Sequence, residues 1–169
     1  CNLGAISLVQ HDYLKAEQHC RPVFRAHNDH PVAGMGLAKT YVTAGQWDPA
    51  LNVLQILNQK GLITEGRLQE FHKLLGIIFM GKGDHDTALT YFKKYEAGNP
   101  ESLDAKLCLY NAYAASRDVE GKITILKQVI EKVPDHRKAL ASLAWSFTQA
   151  EDFPALAETL DQLLATQPK

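Results

Sequence analysis

Similar residues recur along this chain at a step of 34 positions. The step relates prolines, aromatic residues and leucines, in the sets Pro100, Pro134 and Pro168; Phe79, Tyr113 and Phe147; and Leu75, Leu109 and Leu143. A fixed step of this length is typical of helix-turn-helix units that cannot bury their apolar faces alone and therefore stack on one another. The repeat predicts a stack of helical hairpins, which presents an extended surface rather than a reaction centre.

The unit over residues 31–68 shows what the recurring residues do. Ala38 is small enough for a neighbouring helix to approach closely, and Tyr41 fills the space beside it. Gly45 suits the left-handed conformation found at helix ends. We expect Asp48 to cap the second helix. That helix carries an i, i+4, i+7 apolar stripe of Ala50, Leu54 and Leu57.

The repeat divides the chain into one partial and four complete units, at about residues 1–30, 31–68, 69–102, 103–136 and 137–169. The unit over 31–68 is four residues longer than the step. We place its extra residues around Gly61 to Gly66, where they predict a longer turn or an extended following helix. The unit over 103–136 has Lys122 where a small residue is expected, so we expect a looser hairpin there.

The order L-G-x-x-Y, then A-x-x-x-F, then P, repeated at this step, resembles the tetratricopeptide repeat family. The resemblance extends over nearly the whole chain. It implies an all-α fold, a right-handed α-solenoid of stacked helix-turn-helix hairpins that form a superhelix. The early Trp of that family is absent, and its place is taken by Gly34, His72, Lys106 and Leu140. Because neither end shows a capping helix, we expect a single repeat domain over residues 1–169 that is a fragment of a larger protein.

Charge and hydropathy bear on two classes of partner. The formal net charge is −1, and Lys and Arg are scattered rather than clustered, so nucleic acid is not an expected ligand. No apolar run approaches the roughly 20 residues that span a bilayer. We therefore expect no nucleic-acid partner and no transmembrane segment.

Three cysteines, Cys1, Cys20 and Cys108, form no CxxC spacing. An odd count outside a small secreted scaffold favours a reducing compartment, so we expect a cytoplasmic protein. Cys1 leaves an alternative open, in which it is the lipid-modified end of a periplasmic or outer-membrane lipoprotein.

Three groups of residues suggest chemistry by type but not by spacing. Gly34-Met35-Gly36 has neither the preceding strand nor the third glycine of a nucleotide-binding loop. His85 lies between two aspartates in an inter-helix turn, where aspartates commonly cap. No zinc spacing is matched by His27, His30 or the pair His19-Cys20. We therefore predict that the chain is not an enzyme and binds no metal or cofactor.

By the resemblance, the first helix of each hairpin lines a concave groove. The inward positions are mostly apolar: Met35, Lys39, Val42, Lys73, Ile77, Met80, Leu107, Cys108, Asn111, Ala141, Trp145 and Thr148. Methionine adapts to irregular shapes and Trp anchors many interfaces, so we expect an apolar peptide or amphipathic helix of a partner protein in this groove. The family's clamp for terminal carboxylates is incomplete, because only Lys39 and Lys73 are present. An alternative stays open, in which Met80, Leu107 and Trp145 close the superhelix on itself.

These features predict a non-catalytic scaffold or adaptor for protein–protein interaction. A preformed groove avoids the ordering cost that a flexible binder meets. We expect the repeat module of a bacterial regulatory protein of the two-component type, acting in signal transduction. Two alternatives remain: a repeat lipoprotein that aids envelope secretion or pilus assembly, and a scaffold that self-associates through uncapped ends.

Overall fold

The computed structural model describes residues 30–166 and four earlier ones, Gln18, Arg21, Pro22 and Phe24. Residues 31–166 form eight α-helices and no strand. The helices are α1 (Pro31–Thr43), α2 (Trp47–Gln59), α3 (Glu65–Gly81), α4 (His85–Ala97), α5 (Leu103–Ala115), α6 (Val119–Lys132), α7 (Arg137–Gln149) and α8 (Phe153–Ala165). Most of the partial unit predicted at residues 1–30 lies outside the described residues, as do Cys1, Cys20 and Pro168.

The chain divides into two compact units, Cys1–Gly98 and Asn99–Lys169. In the first unit α1 packs on α2 and α3 packs on α4, while α3 also contacts α1 and α2. In the second unit each of α5, α6 and α7 packs on the helix that follows it. The described part of each unit therefore contains two helical hairpins. A single domain over residues 1–169 stays a prediction.

Each hairpin turns through one residue with left-handed backbone. These residues are Gly45, Gly83, Arg117 and Glu151, with φ of 69°, 79°, 60° and 57°. The prediction for Gly45 is confirmed. In every turn the N–H of the next residue donates to the carbonyl oxygen of the recurring aromatic residue, over 2.8 to 3.0 Å. This backbone bond is typical of a Schellman helix end, so the four turns share one geometry even where the repeat has lost its glycine.

Aspartates cap three of the four second helices. The side chains of Asp84, Asp118 and Asp152 each accept a bond from the N–H three residues further on, over 2.8 to 3.2 Å. The cap of α2 is Gln46, whose side chain makes no such bond. The prediction that Asp48 caps α2 is wrong, because the helix already begins at Trp47. The carboxylate of Asp48 instead forms an ion pair with Lys82.

Glycine allows close helix approach in each unit. Gly76 of α3 lies so near the ring of Phe92 on α4 that a Cβ atom would overlap that ring. Gly121 of α6 lies against the ring of Tyr113 on α5 in the same way. The small residue expected at position 122 is therefore supplied one position earlier, and Lys122 is buried. This close contact is local to Gly121, and the expectation of a looser hairpin stays a prediction.

The extra residues of the long unit lengthen a helix. α3 has 17 residues, whereas α1, α2 and α4 have 13 each. Of the two structures predicted for this segment, the extended following helix is confirmed. The recurring leucines, Leu75, Leu109 and Leu143, are all buried. The periodic apolar residues therefore form the core, as the repeat predicts.

We expect Gly76→Ala to destabilise the chain by about 1–3 kcal/mol, because the new methyl group overlaps the ring of Phe92 and forces the core to move. The matched control is Gly66→Ala in the same helix, where no atom lies within 4 Å of the added Cβ. That control should leave the stability of the chain unchanged or raise it by up to about 0.5 kcal/mol, because alanine is the better helix former and Gly66 lies in the first turn of α3. Urea unfolding followed by circular dichroism measures both. Equal effects of the two substitutions would contradict the close approach of α3 and α4.

Candidate functional site

The predicted groove residues lie on the first helices of the hairpins. In the first unit, α1 carries Met35, Lys39 and Val42, and α3 carries Lys73, Ile77 and Met80. In the second unit, α5 carries Leu107 and Asn111, and α7 carries Trp145 and Thr148. The two sets belong to different compact units, so each is described within its own unit.

Two of the predicted residues are core residues of the first unit. Met35 is 3% exposed and Val42 is 8% exposed, and both belong to the apolar cluster built by α1, α2 and α3. The prediction that they line an open groove is therefore wrong. The physical reason is that α3 packs against α1 as well as α2. Ile77 also packs against this cluster, and Met80 is half-buried.

Both lysines expected to grip an acid group already have contacts within the first unit. The Nζ atom of Lys39 lies 3.7 Å from a carboxylate oxygen of Glu70. The Nζ atom of Lys73 lies 5.7 Å from the centre of the Tyr95 ring. An exposed pair such as Lys39 with Glu70 contributes little to stability, so a partner's carboxylate can compete for this lysine.

The second unit presents the predicted residues to solvent. Leu107 is 55% exposed and Trp145 is 65% exposed, although both are large and apolar. Asn111 and Thr148 are exposed as well, and the hydroxyl of Thr148 donates to the carbonyl oxygen of Ala144 over 3.0 Å. Trp145 is the residue of this set best suited to anchor a partner, because it combines a large apolar surface with an N–H donor.

A groove of about 560 Å³ opens beside Leu107 within the second unit. We call it the α5–α7 groove. Its apolar walls are formed by Leu103, Leu107 and Tyr110 of α5, Leu126 and Val129 of α6, and Ala139 of α7. Its volume lies within the range of roughly 300 to 1,000 Å³ that is common for ligand pockets. An apolar side chain of a partner can therefore enter it.

Charged residues also line the α5–α7 groove. Lys106 and Lys138 carry positive charge and Asp104 carries negative charge. Lys106 is only 3% exposed, and its Nζ donates to Oε1 of Gln128 over 2.9 Å. A buried ammonium group requires such hydrogen bonds. The sequence analysis did not predict this groove. The sequence feature that marks it is Lys106, which stands where the tetratricopeptide repeat family has an apolar Trp.

A ring cluster surrounds His72 on α3. The rings of His72 and Tyr91 have centroids 6.3 Å apart, and Phe79 stacks on Tyr91 at 5.6 Å. Burial, and secondarily the positive charge of Lys94, lower the pKa of His72. Nδ1 of His72 is buried and has no hydrogen-bond partner within the described part of the chain. The neutral ring is therefore the favoured form, and it packs as an aromatic residue where the family has Trp.

The candidate acid–base group at His85 has a structural explanation. Asp84 accepts a bond from the N–H of Thr87 over 3.1 Å and caps α4, which confirms the expected capping role. This hydrogen bond lowers the pKa of the Asp84 carboxyl group. Among residues 30–166 and the four earlier described positions, no group of three or more His, Cys, Asp or Glu is arranged to hold a metal ion.

We expect NMR titration of the His72 ring to give a midpoint below the ordinary value of about 6.5. Lys94→Gln should raise this midpoint only in part, because burial is the larger cause of the shift. The unfolded chain then takes up the proton at higher pH than the folded chain. The stability that depends on neutral His72 is therefore lost as the pH falls below about 6.5. A midpoint at or above the ordinary value would contradict the burial of this ring.

Comparison with known proteins agrees with this architecture. Residues 8–61 match a family model described as tetratricopeptide repeat. No curated protein matches the sequence significantly. The crystal structure of MamA superposes with a TM-score of 0.80 at 17% identity, over 97% of this chain and 94% of that one. The structure of MamA 41-end from Desulfovibrio magneticus RS-1 superposes with a TM-score of 0.79 at 16% identity, over 98% of this chain and 91% of that one.

A third similar structure is YrrB, described as a TPR protein with an unusual peptide-binding site. It superposes with a TM-score of 0.78 at 17% identity, over 99% of this chain and 84% of that one. Identities this low show the fold alone. The predicted all-α fold of stacked helix-turn-helix hairpins is confirmed, and so is the resemblance on which it rested. No helix in the described part of the chain combines the length and apolar character needed to cross a membrane.

Proposed function

Because the chain has the tetratricopeptide repeat fold and matches that family's model over residues 8–61, we propose that it is a non-catalytic scaffold that binds a peptide or helix of a partner protein. The fold is typical of protein–protein interaction. The observation that carries the proposal is the exposure of Leu107 and Trp145 on the first helices of the second unit, at 55% and 65%.

The second unit offers the two features that a peptide site needs. The α5–α7 groove provides an apolar recess that takes a side chain, and Leu107 lies in its wall. Exposed Trp145 provides a large anchor surface on α7. Peptide sites of this kind gain affinity from a few anchors rather than from total area. The description of YrrB as a TPR protein with a peptide-binding site supports this mode of action for the fold.

We further propose that the scaffold is a module of a bacterial regulatory protein and works in the cytoplasm. The support for a module that serves one particular partner is the divergence of the repeats. The support for the cytoplasm is the odd cysteine count without CxxC spacing. The envelope lipoprotein is the competing setting, and it depends on Cys1, which lies outside the described residues. Mass spectrometry of the native protein distinguishes the two, because diacylglycerol on the Cys1 thiol would place the protein at a membrane.

We expect the double variant Leu107→Ala, Trp145→Ala to lose partners that the native chain captures from a lysate of its own source. Truncating an interface anchor costs about 2 kcal/mol or more, which is roughly 30-fold in affinity. Both residues are largely exposed, so the stability of the chain should change by only about 0.5 kcal/mol. Quantitative pull-down followed by calorimetry with the captured partner measures the effect.

The matched control is Phe153→Ala, because Phe153 is 64% exposed and lies on α8 rather than on a first helix. This variant should retain the partners that the double variant loses. If native chain and double variant capture the same partners with equal affinity, the proposed site on α5 and α7 is wrong.

A further inference from the structure

The α5–α7 groove lies between the first helices of two neighbouring hairpins. In the first unit the corresponding helices, α1 and α3, contact each other directly. In the second unit α5 and α7 are joined through α6, which packs on both and contributes Leu126 and Val129 to the groove. The groove is therefore a gap between hairpins, and the helices that form it belong to one compact unit.

The two sides of the α5–α7 groove differ in chemistry. The side formed by α5 presents the apolar surfaces of Leu103, Leu107 and Tyr110. The side formed by α7 contributes the polar side chains of His136 and Lys138, and none of its groove residues is acidic. A ligand in the groove therefore meets apolar side chains on one side and hydrogen-bond donors on the other.

The imidazole ring of His136 provides one of these donors. Its Nδ1 atom accepts a hydrogen bond from the N–H of Ala139 over 3.2 Å and thereby caps α7. Because Nδ1 is the acceptor, the proton of the neutral ring is on Nε2. The ring is half-buried, and Nε2–H lies on the side of the ring away from the capping bond. This N–H can therefore donate to a ligand in the groove.

Charge determines which ligand the basic side accepts. Lys138 is exposed, whereas the buried Lys106 is held by its bond to Gln128. Together with Asp104, the groove residues have two positive charges and one negative charge. A ligand that covers Lys138 removes its ammonium group from water, which costs free energy unless the ligand supplies an acceptor, and a carboxylate is the strongest one. A basic ligand is repelled, and a wholly apolar ligand leaves the covered ammonium group without an acceptor.

We propose that the α5–α7 groove selects a peptide segment of a partner protein in which an acidic residue stands close to an apolar one. The apolar side chain packs against Leu107, and the carboxylate accepts from Nζ of Lys138 and from Nε2–H of His136. This inference rests on the proposed function and names the chemistry of its ligand. The groove contains neither Lys39 nor Lys73, so the site differs from the clamp for terminal carboxylates.

A library of random peptides tests the proposal without assuming a sequence. Peptides of about 12 residues, which are long enough to cross the groove in an extended conformation, are displayed on phage and selected on the native chain. The enriched sequences are then synthesised with both ends blocked, so that no terminal carboxylate takes part. We expect these peptides to combine an apolar residue with a nearby Asp or Glu. Replacing that acid by its amide should weaken binding about fivefold or more in fluorescence anisotropy.

Variants of the protein locate the partner of this acid. Lys138→Gln should weaken binding of the acidic peptide by a similar factor and remove most of the difference between the acid and its amide, because the two groups interact. The matched control Arg137→Gln removes the same charge at the adjacent exposed position, which is outside the groove, and should preserve that difference. His136→Asn retains a capping oxygen but lacks Nε2–H, so it should weaken the acidic peptide more than its amide. Circular dichroism checks that each variant keeps the helical content of the native chain.

The results separate failure of this inference from failure of the proposed function. Peptides that need Leu107 and Trp145 but bind equally well as acid and amide would overturn the inference and leave the proposed function standing. Equal loss of the acid preference in Lys138→Gln and Arg137→Gln would reduce it to general charge attraction and would also overturn the inference. Peptides that bind the double variant Leu107→Ala, Trp145→Ala as tightly as the native chain, or a selection that enriches no peptide, would contradict both.

Discussion

The structure depends on contacts in which an aromatic ring lies against a residue that has no side chain. Phe92 occupies the space that a side chain at Gly76 would need, and Tyr113 does the same at Gly121. The paired helices therefore approach closely along one face, and the recurring leucines fill the remaining space. Helices of about 13 residues are marginal alone, so this packing supplies most of their stability.

The hairpin turns connect the core to the surface. The carbonyl oxygen of the recurring aromatic residue accepts the bond that ends each first helix, and the donor residue then begins the second helix. The recurring aromatic residue thus packs its ring against neighbouring helices, fully buried at Tyr41 and Phe147 and half-buried at Phe79 and Tyr113, and its backbone carbonyl accepts the bond in the turn. With the helices fixed in this way, the positions that do not face a neighbour are left to solvent. Leu107 and Trp145 on first helices are such positions.

Much of the fold follows from the periodic residues. Equivalent positions in successive hairpins have the same packing environment, so they require the same residue type. The core leucines, the left-handed Gly45 and the added turn of α3 were all predictable on that basis. The role of Asp48 was not predictable in this way, because the capping residue is the one just before the first helical residue. The start of a helix can shift by one or two residues without any change in the periodicity of its apolar residues. The caps could have been found from the step itself, which relates Asp84, Asp118 and Asp152.

The site was less predictable than the fold. Burial of Met35 and Val42 depends on how three helices pack, and a pattern along one helix cannot distinguish a core position from a groove position. The α5–α7 groove is likewise formed by three helices, although Lys106 in place of the family's Trp marked it.

A double-mutant cycle at Gly76 and Phe92 tests the close contact most directly. In the native background the Gly76→Ala substitution meets the ring, but with Phe92→Ala the ring is absent and the added methyl group enters the space left behind. We expect Gly76→Ala to destabilise the native chain and to be neutral or stabilising in the Phe92→Ala background, a coupling of about 1–3 kcal/mol in urea unfolding. Additive effects of the two substitutions would contradict the contact on which the hairpins depend.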